Sequence, residues 1–272
     1  MLIKVDSDAP KFKCGACGTC CSHIRGAVPE QDAKFLNENL FGKMPIVQLV
    51  PVERMTFPLW DWEAKRFIGW QHEAKVNARI SPLRAIMDLK SNKAIVISYF
   101  MDSESDACAL LKNGKCSIYG TRRAYVCRMF PFNKSPFIKG MVSGINLKQE
   151  LFGECGAMGQ VLANFPEDLH EMAKFLNEAF PDASFINAVQ NGIVIEWVNK
   201  TIVDLIRKNI INPAFGYPYK FLSRRVSACE KIDFTDFLVE FGYLTAGERE
   251  TLLNRFDNNA EATEKISNYK NF

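Results

Sequence analysis

Residues 14–21 read Cys14–Gly15–Ala16–Cys17–Gly18–Thr19–Cys20–Cys21, a C-x2-C-x2-C-C run holding four of the chain's nine cysteines. Two thiolates separated by two residues can converge on one centre while the intervening backbone N–H groups turn toward their sulfurs. Gly15 and Gly18 suit such a knuckle, because glycine tolerates the positive φ that it often requires. A bound metal lowers thiol pKa, so the ligands would bind as thiolates. Cys20 and Cys21 are adjacent, and successive side chains tend to diverge. They are expected to serve different centres, or only one of them to ligate.

A second group follows in Cys108, Cys116, Cys127 and Cys155. Asn113–Gly114 is a strong turn signal between the first two. A plain two-residue hairpin would pair Leu111 with Cys116 and Cys108 with Tyr119, so joint ligation by Cys108 and Cys116 needs a bulge or an irregular loop. Together the eight thiols match two four-ligand sites, or one site plus disulfides or spare thiols. Three cysteines at x2 spacing resemble iron–sulfur ligation, with the fourth ligand supplied from elsewhere. Structural zinc also takes four thiolates, but typically from closely spaced pairs, and the spacing of the second group fits that poorly. The spacing therefore favours an iron–sulfur cluster, of [4Fe–4S] type at the N-terminal knuckle, with Zn2+ as the alternative. Cys14, Cys17 and Cys20 or Cys21 are expected to ligate with at least one thiol from residues 108–155.

Working outward, the 272 residues are 47% hydrophobic and 24% charged, which excludes disordered, collagen-like and coiled-coil classes. A net charge of +3 gives no indication of nucleic acid. The charge is uneven: residues 1–155 carry 22 basic and 15 acidic side chains, and residues 156–272 carry 12 and 16. No secretory signal is visible at the N-terminus, and the longest apolar runs, such as 94–97 and 193–195, are too short to cross a bilayer. A cytoplasmic protein keeps its thiols reduced, which favours metal or redox chemistry over structural disulfides.

The expected class is α+β: a cysteine-cluster metal-binding domain over 1–160, irregular with short strands and helices, then a helical domain over 161–272. Residues 31–40 suggest a short helix. Residues 57–62 and 67–71 suggest an aromatic hairpin, and Ser81–Pro82 a short helix through Met87. Residues 94–101 read as a buried strand. Beyond Gly159, Leu169, Met172, Ala173 and Leu176 follow helical spacing. Residues 185–211 read as one helix or two, with Gly192 the weak point. Phe234, Phe237, Leu238 and Phe241 form another stripe, and Thr245 with Glu248 fits a capping box. The last dozen residues are polar and are expected to fray.

Three motifs in order carry a resemblance: Cys14–Gly15–Ala16–Cys17–Gly18–Thr19–Cys20–Cys21, then Gly114–Lys115–Cys116–Ser117–Ile118–Tyr119, then Cys127–Arg128–Met129–Phe130–Pro131–Phe132. This pattern resembles the CxxCxxCC cysteine-cluster family, described as a zinc- or iron-chelating domain and including the flagellin lysine N-methylases. The resemblance covers residues 12–160. It departs at Arg123–Ala124, where the family usually has Arg-Pro, and Arg122 stands as an extra residue. The resemblance implies a metal-binding protein, or alternatively a metal-dependent enzyme of group-transfer or redox type, such as a lysine N-methylase-like activity.

Arg122, Arg123 and Arg128 surround Cys127 and could neutralise a thiolate centre or hold an anionic substrate. His23 could ligate, though it more readily orients or packs beside a site. His72, His170, Cys229 and the tryptophans Trp60, Trp62 and Trp70 read as structural. No G-x-G-x-x-G after a strand, Walker sequence or H-E-x-x-H is present. A partner would be a protein or small molecule that the sequence does not identify.

Overall fold

The computed structural model describes residues 10–25, 34, 44–103, 105–119, 123–134, 136, 151–166 and 169–269. In chain order the elements are α1 (Thr19–Ser22), β1 (Ile46–Gln48), a 3-10 turn (Val52–Arg54), β2 (Pro58–Trp60), α2 (Asp61–Glu73), β3 (Arg79–Asp88), β4 (Lys93–Asp102), β5 (Leu111–Lys112) and β6 (Lys115–Cys116). Next come α3 (Tyr125–Met129), a 3-10 turn (Gly156–Met158), α4 (Gly159–Ala163), α5 (Leu169–Ala179), α6 (Ser184–Arg207), α7 (Tyr219–Ala228), β7 (Lys231–Asp233), α8 (Phe234–Glu240), α9 (Ala246–Asp257) and α10 (Ala260–Tyr269). The class is α+β, as expected. The helix expected over 31–40 lies outside the described residues except at Lys34, which is helical.

The chain divides into two compact units. The first comprises Met1–Cys17, Tyr125–Val198 and Leu252–Phe272; the second comprises Gly18–Ala124 and Asn199–Thr251. Residues 1–160 and residues 161–272 therefore each contribute to both units.

In the second unit β4, the buried strand expected from its β-branched run, is the hub of the sheet. It pairs antiparallel with β3 along its length, antiparallel with β2 at 98–100 and parallel with β7 at 94–96; β1 adds to β3. One face packs Val47, Ala85, Met87, Ala94 and Val96 against Leu222 and Val226 of α7. The sheet also meets α2 and α8. With helices against it, β4 is apolar on both faces and reads as a continuous hydrophobic run.

Two local expectations are overturned here. Residues 57–71 do not form a hairpin: Glu63–Ala64–Lys65 lies inside α2. Ala64, Phe67 and Gln71 are buried at helical spacing, while Lys65 and Arg66 are exposed. The Trp60 N–H donates to Glu63 Oε2 (3.2 Å), closing the start of the helix. Ser81–Pro82 does not open a helix either, because Pro82 sits in β3 opposite Tyr99. The register shifts immediately after it, the irregular position at which a strand tolerates a proline.

The first unit is held by an aromatic core in which Phe132 lies 4.6 Å from Phe180 and 5.0 Å from Phe152, ring centre to ring centre. Its α5 follows the stripe expected there, with Met172 and Leu176 buried. α6 is one unbroken helix through Gly192. Residues 260–269 do not fray as expected: they form α10, which buries Ala262 and Ile266 in this core. The Ala262 N–H donates to buried Gln190 Oε1 (3.1 Å). A polar run thus earns its helix from two apolar positions four residues apart.

Candidate metal centre

The second unit brings the backbone segments that carry Cys20, Cys21, Cys108 and Cys116 into contact. Asn113 (φ 51°) and Gly114 (φ 73°) make the expected turn, and Leu111 pairs with Cys116 as the plain hairpin requires. The ladder is only two residues long, and Cys108 leaves it through a tight turn in which the Leu111 N–H donates to Cys108 O (2.9 Å). Gly18 (φ 77°) precedes α1 and lies directly against that hairpin. A Cβ built on it would stand 2.6 Å from Gly114 O and 2.9 Å from Leu111 Cδ1. Only glycine fits this approach, so the start of α1 is seated on the turn leading to Cys116.

A second seam fixes the other end. The Cys108 N–H donates to Cys21 O (2.7 Å) and the Ile24 N–H to Asp106 O (2.8 Å). The Asp106 carboxylate accepts from the Arg25 N–H (2.9 Å) and meets His23 Nδ1 at 3.1 Å. Those contacts hold its pKa below the usual carboxylate range, the Arg25 amide being the largest cause. His23 is thus engaged with Asp106. No sequence signal singled out Asp106, because its role depends on a partner eighty residues away.

The sulfurs respond to this gathering. Cys20 and Cys21 Sγ lie 3.9 Å apart rather than diverging. The Cys20 thiol pKa is pushed well up, first by its hydrogen bond with Cys21, then by burial and by the neighbouring Cys21 charge, while Arg123 opposes this. Cys108 is raised chiefly by burial and further by the charges of Cys116 and Cys20, while the backbone amides of Leu110 and Leu111 oppose this. Thiols that resist ionising together are the kind whose deprotonation a cation promotes.

The first unit holds Cys14, Cys17, Cys127 and Cys155. Cys127 lies on α3, and Cys155 precedes the 3-10 turn at Gly156–Met158. Between Cys14 and Cys17 the positive φ belongs to Ala16 (50°), not to Gly15. That conformation costs an L residue about 1–2 kcal/mol and marks a constrained bend. None of the nine cysteines is in a disulfide. Among the described residues, no three His, Cys, Asp or Glu side chains converge tightly enough to hold a metal ion as they stand. A thiol sulfur is placed by one torsion, χ1, so what the fold fixes is the proximity of the backbones that carry it.

Several of the remaining candidates make packing contacts. Arg128 stacks over Tyr125 (4.3 Å) and Arg123 over Tyr119 (4.6 Å); Arg122 lies outside the described residues. Trp60 and Trp62 stack on each other at 5.5 Å. Cys229 is half-buried and donates to Met87 Sδ (3.6 Å). Among the described residues, no helix is long and apolar enough to cross a membrane. No family model, curated protein or solved structure matches the chain.

Proposed function

We propose that this chain is a metal-binding protein that holds an iron–sulfur cluster or a zinc ion through clustered cysteine thiolates. The observation that carries the reading is that the Gly18–Gly114 approach and the Cys108–Cys21 backbone bond bring the chain segments bearing Cys20, Cys21, Cys108 and Cys116 side by side. The 3.9 Å between Cys20 and Cys21 Sγ is close to the edge of about 3.8 Å that two thiolates span on one tetrahedral ion with bonds of about 2.3 Å. In a cubane each thiolate binds a different iron and the sulfurs stand farther apart, so this pair suits a single ion; the Cys14-x2-Cys17 spacing suits either metal form. A bound metal would supply charge compensation for the thiolates and order a segment that buries little. Such thiols stay available in a reducing compartment such as the cytoplasm.

Protein purified without oxygen, after expression with ample iron and zinc, tests this by metal and acid-labile sulfide analysis with a visible spectrum. Brown protein with sulfide is expected for a cluster, and colourless protein with stoichiometric zinc for the single-ion form. Folded protein containing neither metal overturns the reading.

A further inference from the structure

We infer that the eight thiols form two separate centres, one with Cys20, Cys21, Cys108 and Cys116 and the other with Cys14, Cys17, Cys127 and Cys155. This inference rests on the metal-binding reading and adds the number of sites and the ligands of each. The C-x2-C-x2-C-C run reads as one knuckle in sequence, but the boundary between the compact units falls inside it, between Cys17 and Gly18. That boundary divides the eight thiols four and four, the number a closed tetrathiolate site or a four-iron cluster needs.

The second set is tied to one apolar core. Phe12, two residues before Cys14, is buried there, and its N–H donates to Ala179 O (2.7 Å). Met129, two residues past Cys127, lies in the same core, and Cys155 packs against it directly. Cys17 follows Cys14 across the bend at Ala16. Three separate stretches of chain thus each anchor in one hydrophobic cluster a residue that is, or lies two positions from, one of these cysteines. The thiols of Cys14 and Cys17 are exposed, which leaves them open to a metal arriving from solvent.

The test is an anaerobic titration of the reduced full-length chain with Co2+, followed by its thiolate-to-cobalt absorption. The wild type should saturate at two equivalents. The double variant Cys14→Ser/Cys17→Ser should saturate at one, and so should Cys20→Ser/Cys116→Ser. Saturation of the wild type at one equivalent overturns the two-centre assignment but leaves the metal-binding reading standing. Loss of all absorption in either double variant that keeps its helical circular dichroism also overturns it. Absence of any cobalt–thiolate absorption in the wild type overturns the metal-binding reading itself. Should a variant fail to fold, the wild-type stoichiometry decides.

Discussion

Within the second unit, β4 buries Ala94, Ile95, Val96, Ile97, Phe100 and Met101, whereas α1 has four residues and buries none. The sheet is held by a long ladder and by apolar side chains, each contributing about 1.5–3 kcal/mol when fully buried. The thiol-bearing segment has a two-residue ladder, a few backbone bonds and one close glycine contact. The contrast teaches where a metal would matter. The sheet is stable through burial, whereas the cysteine segment has positioned thiol-bearing backbone and little else, so on the proposed function metal binding would serve there as folding energy.

Ile95→Ala attacks the sheet side of the contrast. Ile95 is fully buried opposite Ile86 and Ile232, and its truncation should cost about 3 kcal/mol in chemical denaturation. Metal content per folded chain should not change. A loss of metal at temperatures where the sheet remains folded would erase the distinction.

Gly18→Ala attacks the other side. Its Cβ meets a backbone oxygen and its φ is 77°, so about 1–2 kcal/mol is expected from the backbone conformation alone. Here metal should be lost out of proportion to stability, as read by metal analysis and a thermal melt on the same sample. Retention of full metal with a lowered Tm would mean that the Gly18 seat does not position Cys20 and Cys21.

The smallest effect sharpens the picture of the sheet side. Asp61, fully buried, accepts from the Thr235 N–H (2.8 Å) and Oγ1 (2.6 Å) at the start of α8. Its pKa is raised to about 7, chiefly by burial; Asp233 adds to the rise, while Thr235 and Lys65 oppose it. A carboxyl raised on folding binds its proton more tightly in the folded state. Its contribution to stability is therefore greatest below the ordinary carboxylate pKa and is lost as pH climbs toward about 7. Asp61→Asn, which keeps an acceptor for Thr235, should raise Tm relative to wild type more at pH 8 than at pH 5. An equal difference at both pH values would show that Asp61 does not titrate in this range.

Patterns complete within a few residues were legible in the sequence. The apolar run of β4, the turn at Asn113–Gly114, the α5 stripe and the Thr245–Glu248 capping box all recur in the structure. In that box the Glu248 N–H donates to Thr245 Oγ1 (3.2 Å) and the Thr245 N–H to Glu248 Oε2 (2.7 Å). The aromatic stretch 57–71 misled because its alternating aromatics imitate a strand, while the residues that become buried follow helical spacing. The terminal polar run misled because a helix needs only a narrow apolar face once a core is there to receive it.

By itself the sequence determined that thiols are concentrated at eight positions and that the chain mixes helices with strands, since spacing and periodicity are local properties of the chain. The tertiary structure alone decided which thiols share a compact unit, and that it is Ala16 rather than Gly15 that bends between Cys14 and Cys17. It alone placed Gly18 against Gly114 and Asp106 against residues 23–25. Each of these joins positions far apart in the chain or depends on a backbone torsion that residue identity permits but does not dictate.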